Sequence, residues 1–202
     1  NCHFHADTHN SEEGAKRDFV ERVQQVQLCY NRVEFRLSDQ CLYPIWAHRA
    51  VFLMGDTNMR LARPERFDTQ PSFHQHVLET LKTKQFQHLQ RYDQLTMMLT
   101  SPDLVLGDSP FNATSPECRP QGTSFREPVL CETDGPPFLP TYKLAVPGPG
   151  FSCRRIPAWT DRILYRSCDA RPLKYDVVMQ EEVLVPPRNI ADHNPVFAVF
   201  EV

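Results

Sequence analysis

The chain has 202 residues, of which 41% are apolar and 10% aromatic, and a formal net charge of -3. That length and composition suit one globular domain with a sizeable core and exclude the disordered and low-complexity classes. The mild acidity argues against a general polyanion-binding surface, and no apolar run approaches the roughly 20 residues of a membrane-spanning helix.

Seven cysteines stand at irregular spacing, at positions 2, 29, 41, 118, 131, 153 and 168, with no CxxC pair and no metal-finger pattern. Reduced thiols in a cytoplasmic protein are expected from that usage rather than a disulfide framework. No signal peptide opens the sequence, so any membrane contact is expected to be peripheral. The chain starts at Asn1 without an initiator Met. It therefore reads as a piece of a longer protein, and residues that complete a site are expected upstream.

In chain order, Ser11 to Tyr30 predicts an amphipathic helix. Phe19, Val20, Val23, Val26 and Tyr30 recur at three and four, with Ser11 and two glutamates at the front. One face of it should pack on a sheet. Residues 31–48 are mixed and give no clear element. Val51 to Met54 is an apolar run ending at Gly55, which predicts a buried strand with Asp56 and Asn58 at its mouth. Thr69 to Lys84 predicts a second helix, with Phe73, Val77, Leu78 and Leu81 on one side, and Leu89 to Leu99 a third.

From 99 to 128 the sequence turns to Ser, Pro, Asp and Gly without periodicity, which predicts a long Pro/Ser-rich surface loop. It holds a glycosylation-type sequon at Asn112 and Ser-Pro pairs at 101, 109 and 115, all of which plain loop composition also explains. Three strand-like runs rich in Val, Ile, Tyr and Phe follow: Asp161 to Ser167, Leu173 to Met179 and Pro195 to Val202. Neither an internal repeat nor a second domain is evident.

Polar clusters sit at the edges of these predicted elements: His3; Asp56 with Asn58; Trp159-Thr160-Asp161-Arg162; and Asp192-His193. Tyr142-Lys143 and Arg154-Arg155 add positive charge. Carboxylates, an amide and a histidine without an evident Ser or Cys nucleophile suggest an attacking water assisted by a hard metal ion. The neighbouring Lys and Arg suggest a phosphate as the group attacked. Taken singly, each cluster has a plainer reading: a turn into the last strand at Asp192-His193, a strand-end ion pair at Asp161-Arg162, a loop tip at Tyr142-Lys143, a satisfied backbone carbonyl at His3.

Taken together, Asn1-Cys2-His3-Phe4, Gly55-Asp56-Thr57-Asn58-Met59-Arg60, Arg91-Tyr92-Asp93-Gln94-Leu95, Pro140-Thr141-Tyr142-Lys143, the segment Arg155 to Leu164 (RIPAWTDRIL) and Ala191-Asp192-His193-Asn194-Pro195-Val196 resemble the ordered motifs of the inositol polyphosphate 5-phosphatases. The resemblance runs the length of the chain. It implies a four-layer α/β sandwich of the deoxyribonuclease-I-like type, with residues 1–202 as the C-terminal part of a single catalytic domain that lacks its N-terminal half. The activity implied is Mg2+-dependent hydrolysis of the 5-phosphate from inositol polyphosphates or phosphoinositides.

By that resemblance, Asp56 holds and activates water, and Asn58 orients it. His193 stabilises charge on the scissile phosphate, Asp161 fixes its imidazole, Asp192 lies beside the metal, and His3 contacts the phosphate. Tyr142, Lys143 and Arg155 bind the neighbouring phosphate, and Arg60 orients the loop after Asn58. The remaining magnesium ligand, a glutamate, is expected upstream of Asn1, so the isolated chain should have weak or no activity and expose apolar surface.

Five positions depart from the family pattern: Asp7, Leu53, Met59, Pro128, and Cys153, which replaces a Lys and weakens the expected grip on the adjacent phosphate. Arg154 beside it would point elsewhere if that segment is extended. Two other readings remain: a nuclease of the same superfamily, against which the PTYK motif and the acidic total stand, and an inactive interaction module of the same fold. The first reading involves no nucleic acid.

Overall fold

The structure is a computed structural model that describes residues 1–7, 11–38, 41–100, 125–129 and 135–202. Most of the 99–128 loop, including the Asn112 sequon and the Ser-Pro pairs at 101, 109 and 115, lies outside the described residues.

After a short strand β1 (Cys2–His3), helix α1 runs Glu12–Arg32. It starts where Ser11 accepts a hydrogen bond from the Gly14 amide at 3.1 Å, with Glu12 and Glu13 against the positive end of the helix dipole. The segment without a clear sequence signal forms a small antiparallel pair, β2 (Glu34–Arg36) and β3 (Leu42–Pro44), then a 3-10 turn over Ile45–Ala47. Strand β4 (Ala50–Asp56) follows. Helix α2 (Gln70–Lys82) starts at a Thr69 cap, with Pro71 in the first turn where its missing N–H costs nothing.

The single helix expected over Leu89 to Leu99 is instead a 3-10 turn (Gln87–Tyr92) followed by helix α3 (Gln94–Thr100). The break is at Asp93, whose backbone is extended and whose carboxylate accepts from the Thr96 amide and hydroxyl at 2.9 and 3.0 Å. An aspartate that caps a new helix cannot also continue the old one. Strand β5 (Asp161–Ser167) matches its expected bounds. Strands β6 (Arg171–Val177) and β7 (Val196–Glu201) flank a one-turn helix α4 (Gln180–Val183).

Among the described residues, the main sheet has the order β1-β4-β5, and β6 pairs with β7 in a second sheet. Alternation along β5 places it between two cores. Leu164 joins Phe4, Val26, Leu53, Met59 and Leu95, so α1 packs on one face of the sheet as its periodicity requires. Ile163 joins Phe73, Val77, Leu81, Phe86, Leu89, Trp159 and Tyr175, which brings α2 and β6 to the other face. Ring contacts of Phe200 with Phe52 at 4.9 Å and with Tyr165 at 5.0 Å set the two sheets against each other. Each fully buried side chain of this size contributes about 1.5–3 kcal/mol. Phe52, Met54, Leu173 and Val199 keep 37–47% of their surface exposed, the apolar exposure expected from the sequence.

Strand register positions the site. β1 pairs parallel with β4, Cys2 opposite Gly55 and His3 opposite Asp56, and β4 pairs antiparallel with β5, Asp56 opposite Asp161. His3, Asp56 and Asp161 therefore form one row across one end of the sheet. The approach of β1 is so close that a Cβ on Gly55, at φ +140, would stand 2.0 Å from the Cys2 carbonyl oxygen. Only glycine fits there.

Candidate active site

Beyond the end of β4 the chain turns sharply. The Asn58 amide donates to Asp56 Oδ1 at 2.8 Å, an Asx turn that holds Asn58 at φ +52. Phe4 N donates to the Asp56 carbonyl at 2.9 Å, and Thr57 N donates to the Thr160 carbonyl at 2.7 Å, so the turn is tied to the β1 and β5 segments. The Asn58 side chain is fixed from both sides. Its Nδ2 donates to the Phe4 carbonyl at 3.0 Å, and its Oδ1 accepts from Arg60 Nη2 at 2.6 Å. Arg60 also stacks its guanidinium 4.6 Å from the Tyr142 ring centroid.

The second wall is built by the segment through Tyr142. It bridges Ala158 on one side and His193 on the other, and it is held by Asn194 N to the Thr141 carbonyl and Leu144 N to the Asp192 carbonyl, both 2.9 Å. His193 packs its ring 4.6 Å from that of Tyr142, and its Nδ1 lies 2.9 Å from Asp161 Oδ2. The same oxygen accepts from the Thr141 hydroxyl at 2.6 Å and the Thr160 hydroxyl at 3.0 Å. Nε2 of His193 faces Asp56 Oδ2 at 4.0 Å, and His3 Nε2 lies 3.5 Å from that oxygen.

Electrostatics follow from these partners. Burial disfavours the Asp161 anion, but the hydrogen bonds from His193, Thr141 and Thr160 outweigh it and hold the carboxyl below its ordinary value. Burial also works against a charged His193, and the Asp161 carboxylate outweighs it, so that imidazole is raised. Asp56 moves the other way. Desolvation raises its carboxyl, only partly offset by the Asn58 amide. At the rim, Lys143 Nζ donates to Asp192 Oδ2 at 2.8 Å, which lowers the Asp192 carboxyl and raises the Lys143 ammonium.

These groups surround a cleft of about 220 Å³ lined by His3, Ala6, Asp7, Asp56, Asn58, Arg60, Tyr142, Arg155, Asp192 and His193. Of the ten site residues singled out by sequence, eight line it. Asp161 stands behind His193, and Lys143 lines an adjoining groove, from which it reaches Asp192. Cys153 and Arg154 lie on a turn that lines this groove, not on the extended segment considered from sequence. Asp7 and Thr141 were not among the sequence-derived candidates. A departure from a motif was the only signal at Asp7, and the Thr141 hydroxyl matters only once β5 is beside it.

Asp56, Asp192 and the Asn58 side-chain carbonyl are hard oxygen donors lining the cleft, the type of donor that Mg2+ takes. A carboxyl raised by burial, as at Asp56, is one that a nearby cation would hold ionised. Among the described residues no group of three or more His, Cys, Asp or Glu side chains is arranged to hold a metal, so protein donors here would form only part of a coordination sphere.

The model of the endonuclease/exonuclease/phosphatase family 2 matches residues 1–104 and 117–199. The polyphosphatidylinositol phosphatase INP53 of Saccharomyces cerevisiae is 29% identical over 157 residues, 76% of this chain and 11% of that protein. Among solved structures, the inositol polyphosphate 5-phosphatase domain of SPsynaptojanin, in complex with inositol (1,4)-bisphosphate and calcium ion, superposes with a TM-score of 0.60 at 23% identity. That match covers 98% of this chain and 44% of the other, so the chain spans less than half of the domain it resembles. The likeness establishes the fold as the deoxyribonuclease-I-like α/β sandwich.

Proposed function

Because the chain belongs to endonuclease/exonuclease/phosphatase family 2, we propose that it forms part of a phosphoric monoester hydrolase that removes the 5-phosphate from inositol polyphosphates or phosphoinositides. The activities of the two relatives support the substrate class. One observation supports the chemistry most: an imidazole held by Asp161 faces Oδ2 of Asp56 across a cleft edged by Arg60 and Arg155.

Asp56 Oδ1 is occupied by the Asn58 amide, which leaves Oδ2 to accept a proton from the attacking water. Its raised pKa makes it a better base than an exposed aspartate. Asn58, locked between Phe4 and Arg60, keeps its remaining N–H aligned with the phosphate oxygens. His193, whose protonated form Asp161 favours, donates from Nε2 to the phosphoryl oxygens as their charge redistributes, and His3 adds a second donor. Tyr142, Arg155 and Lys143 hold the adjacent ring phosphate. A divalent cation such as Mg2+, held by Asp192 with water and substrate, would neutralise phosphate charge and favour the nucleophilic form of water. The product is inorganic phosphate and an alcohol, reached in one in-line step without a phosphoenzyme. The reading carries with it a cytosolic site of action at or near a membrane face.

The test is phosphate release from inositol bisphosphate and from a bisphosphorylated phosphoinositide by the full-length protein that carries these residues. Metal-dependent release that disappears in Asp56→Ala and His193→Ala is the expected result. Release that persists in either variant would remove the assignment.

A further inference from the structure

We propose that Asp7 sets how many phosphates the cleft tolerates, acting as a fixed anion among the guanidiniums that receive the substrate. This rests on the inositol phosphate reading above. Oδ1 of Asp7 accepts from Arg22 Nη1 at 2.8 Å, while Oδ2 lies 3.2 Å from Arg60 Nε and 3.9 Å from Arg155 Nη1. Arg60, Arg155 and Asp7 all line the cleft, so a ligand phosphate that reaches either arginine arrives within a few ångström of the carboxylate.

Asp7 cannot swing aside to make room. Arg22 is fully buried, and burial lowers its pKa against the opposing pull of Asp7. The other end of the guanidinium donates to Gln94 Oε1 at 2.9 Å, and that oxygen also accepts from the Arg60 amide at 2.9 Å. Losing the Asp7 carboxylate would strand a desolvated cation, so the anion stays. Arg60 is equally committed, to Asn58 Oδ1 and to the face of Tyr142.

Three carboxylates, Asp7, Asp56 and Asp192, thus face two guanidiniums on the cleft wall. Asp192 is offset by Lys143 from the neighbouring groove, and Asp56 faces His193. Asp7 instead offsets the pair that would otherwise attract further phosphates. The adjacent phosphate at Arg155 meets this repulsion once, and each further ring phosphate adds to it.

Titration calorimetry of the full-length protein with inositol bisphosphate and inositol tetrakisphosphate tests this. Asp7→Asn keeps an oxygen for Arg22 and removes only the charge. It is expected to bind the tetrakisphosphate about ten-fold tighter and the bisphosphate, with one phosphate beside Arg155, only about two- to three-fold tighter. A merely structural Asp7 would shift both ligands alike, and an equal shift, or weaker binding of both, overturns the inference. A thermal melt establishes that the variant folds. If it does not, Asp7→Glu, which pushes the carboxylate further toward Arg155, is expected to weaken tetrakisphosphate binding selectively, and failure to do so is equally decisive. Wild-type and variant protein that bind neither ligand would overturn both this inference and the proposed function. Wild-type binding with an unchanged ligand ratio in the variants would overturn the inference alone.

Discussion

Oδ2 of Asp56 stands 4.0 Å from Nε2 of His193 and 3.5 Å from Nε2 of His3, while the other carboxylate oxygen is held by Asn58 and the other ring nitrogen of His193 by Asp161. The carboxylate and imidazole proposed as base and electrophile therefore face each other across the cleft, each oriented from behind. Asp56→Asn and His193→Ala should each lower kcat by about 10²–10⁴ without unfolding the protein. Initial rates of phosphate release, alongside circular dichroism, check this. Loss of folding in place of loss of rate would show that the pair is structural.

The Asp161–His193 pair predicts a pH window for stability. His193 is raised, so its contribution is complete below the ordinary imidazole value and is lost as pH climbs through the raised one. Asp161 is lowered, so its contribution is complete above the ordinary carboxylate value and is lost as pH falls through the lowered one. Both operate between about pH 4 and pH 6.5. Asp161→Asn should flatten the fall in melting midpoint between pH 6 and pH 8 (about the imidazole range), measured without added metal. A slope equal to that of the wild type would show that the pair contributes nothing.

Gly55→Ala should cost more than about 2 kcal/mol, because the new Cβ would meet the Cys2 carbonyl and the φ of +140 is unsuited to an L side chain. Since that contact joins β1 to β4, His3 should become mobile as well. Denaturant melts read the first effect and the chemical shifts of the His3 ring the second.

Arg162 is wholly buried between Asp93 and Glu127, with Nη1 at 2.8 Å from Asp93 and Nε at 2.7 Å from Glu127. Asp93 also caps α3. Arg162→Ala leaves two carboxylates without their counterion and should cost about 3–5 kcal/mol. Urea midpoints check the loss. A cost near zero would mean that water replaces the guanidinium.

Lys143→Ala should raise KM for inositol bisphosphate by about ten-fold through the lost phosphate contact, with a much smaller effect on kcat. It also frees Asp192, now held at 2.8 Å. Steady-state kinetics with bisphosphate and monophosphate substrates separate the two effects, and equal changes on both would discount a second-phosphate role.

Much of this was present in the chain as written. Ser11 and Thr69 announce their helices because a side-chain oxygen satisfies amides only three residues away, and β5 is marked by its Ile163-Leu164-Tyr165 run between polar ends. Most of the residues that come to line the cleft, from His3 to His193, could be named from their motifs. The break at Asp93 could not, since apolar periodicity on both sides hides a cap whose carboxylate is also anchored by Arg162, 69 residues away. The mixed 31–48 stretch forms strands too short and too exposed to leave a pattern.

Which residues touch was decided only by the folded chain. The row His3, Asp56, Asp161 depends on parallel pairing at one side of β4 and antiparallel pairing at the other, and a slip of one residue would turn Asp56 to the opposite face. Asp7 meets Arg22, Arg60 and Arg155 because a loop, a helix and two turns converge at the end of one sheet. Local sequence encodes local hydrogen bonding and the side-chain chemistry available. The charge of the finished cleft is a sum over neighbours that only long-range packing brings within a few ångström.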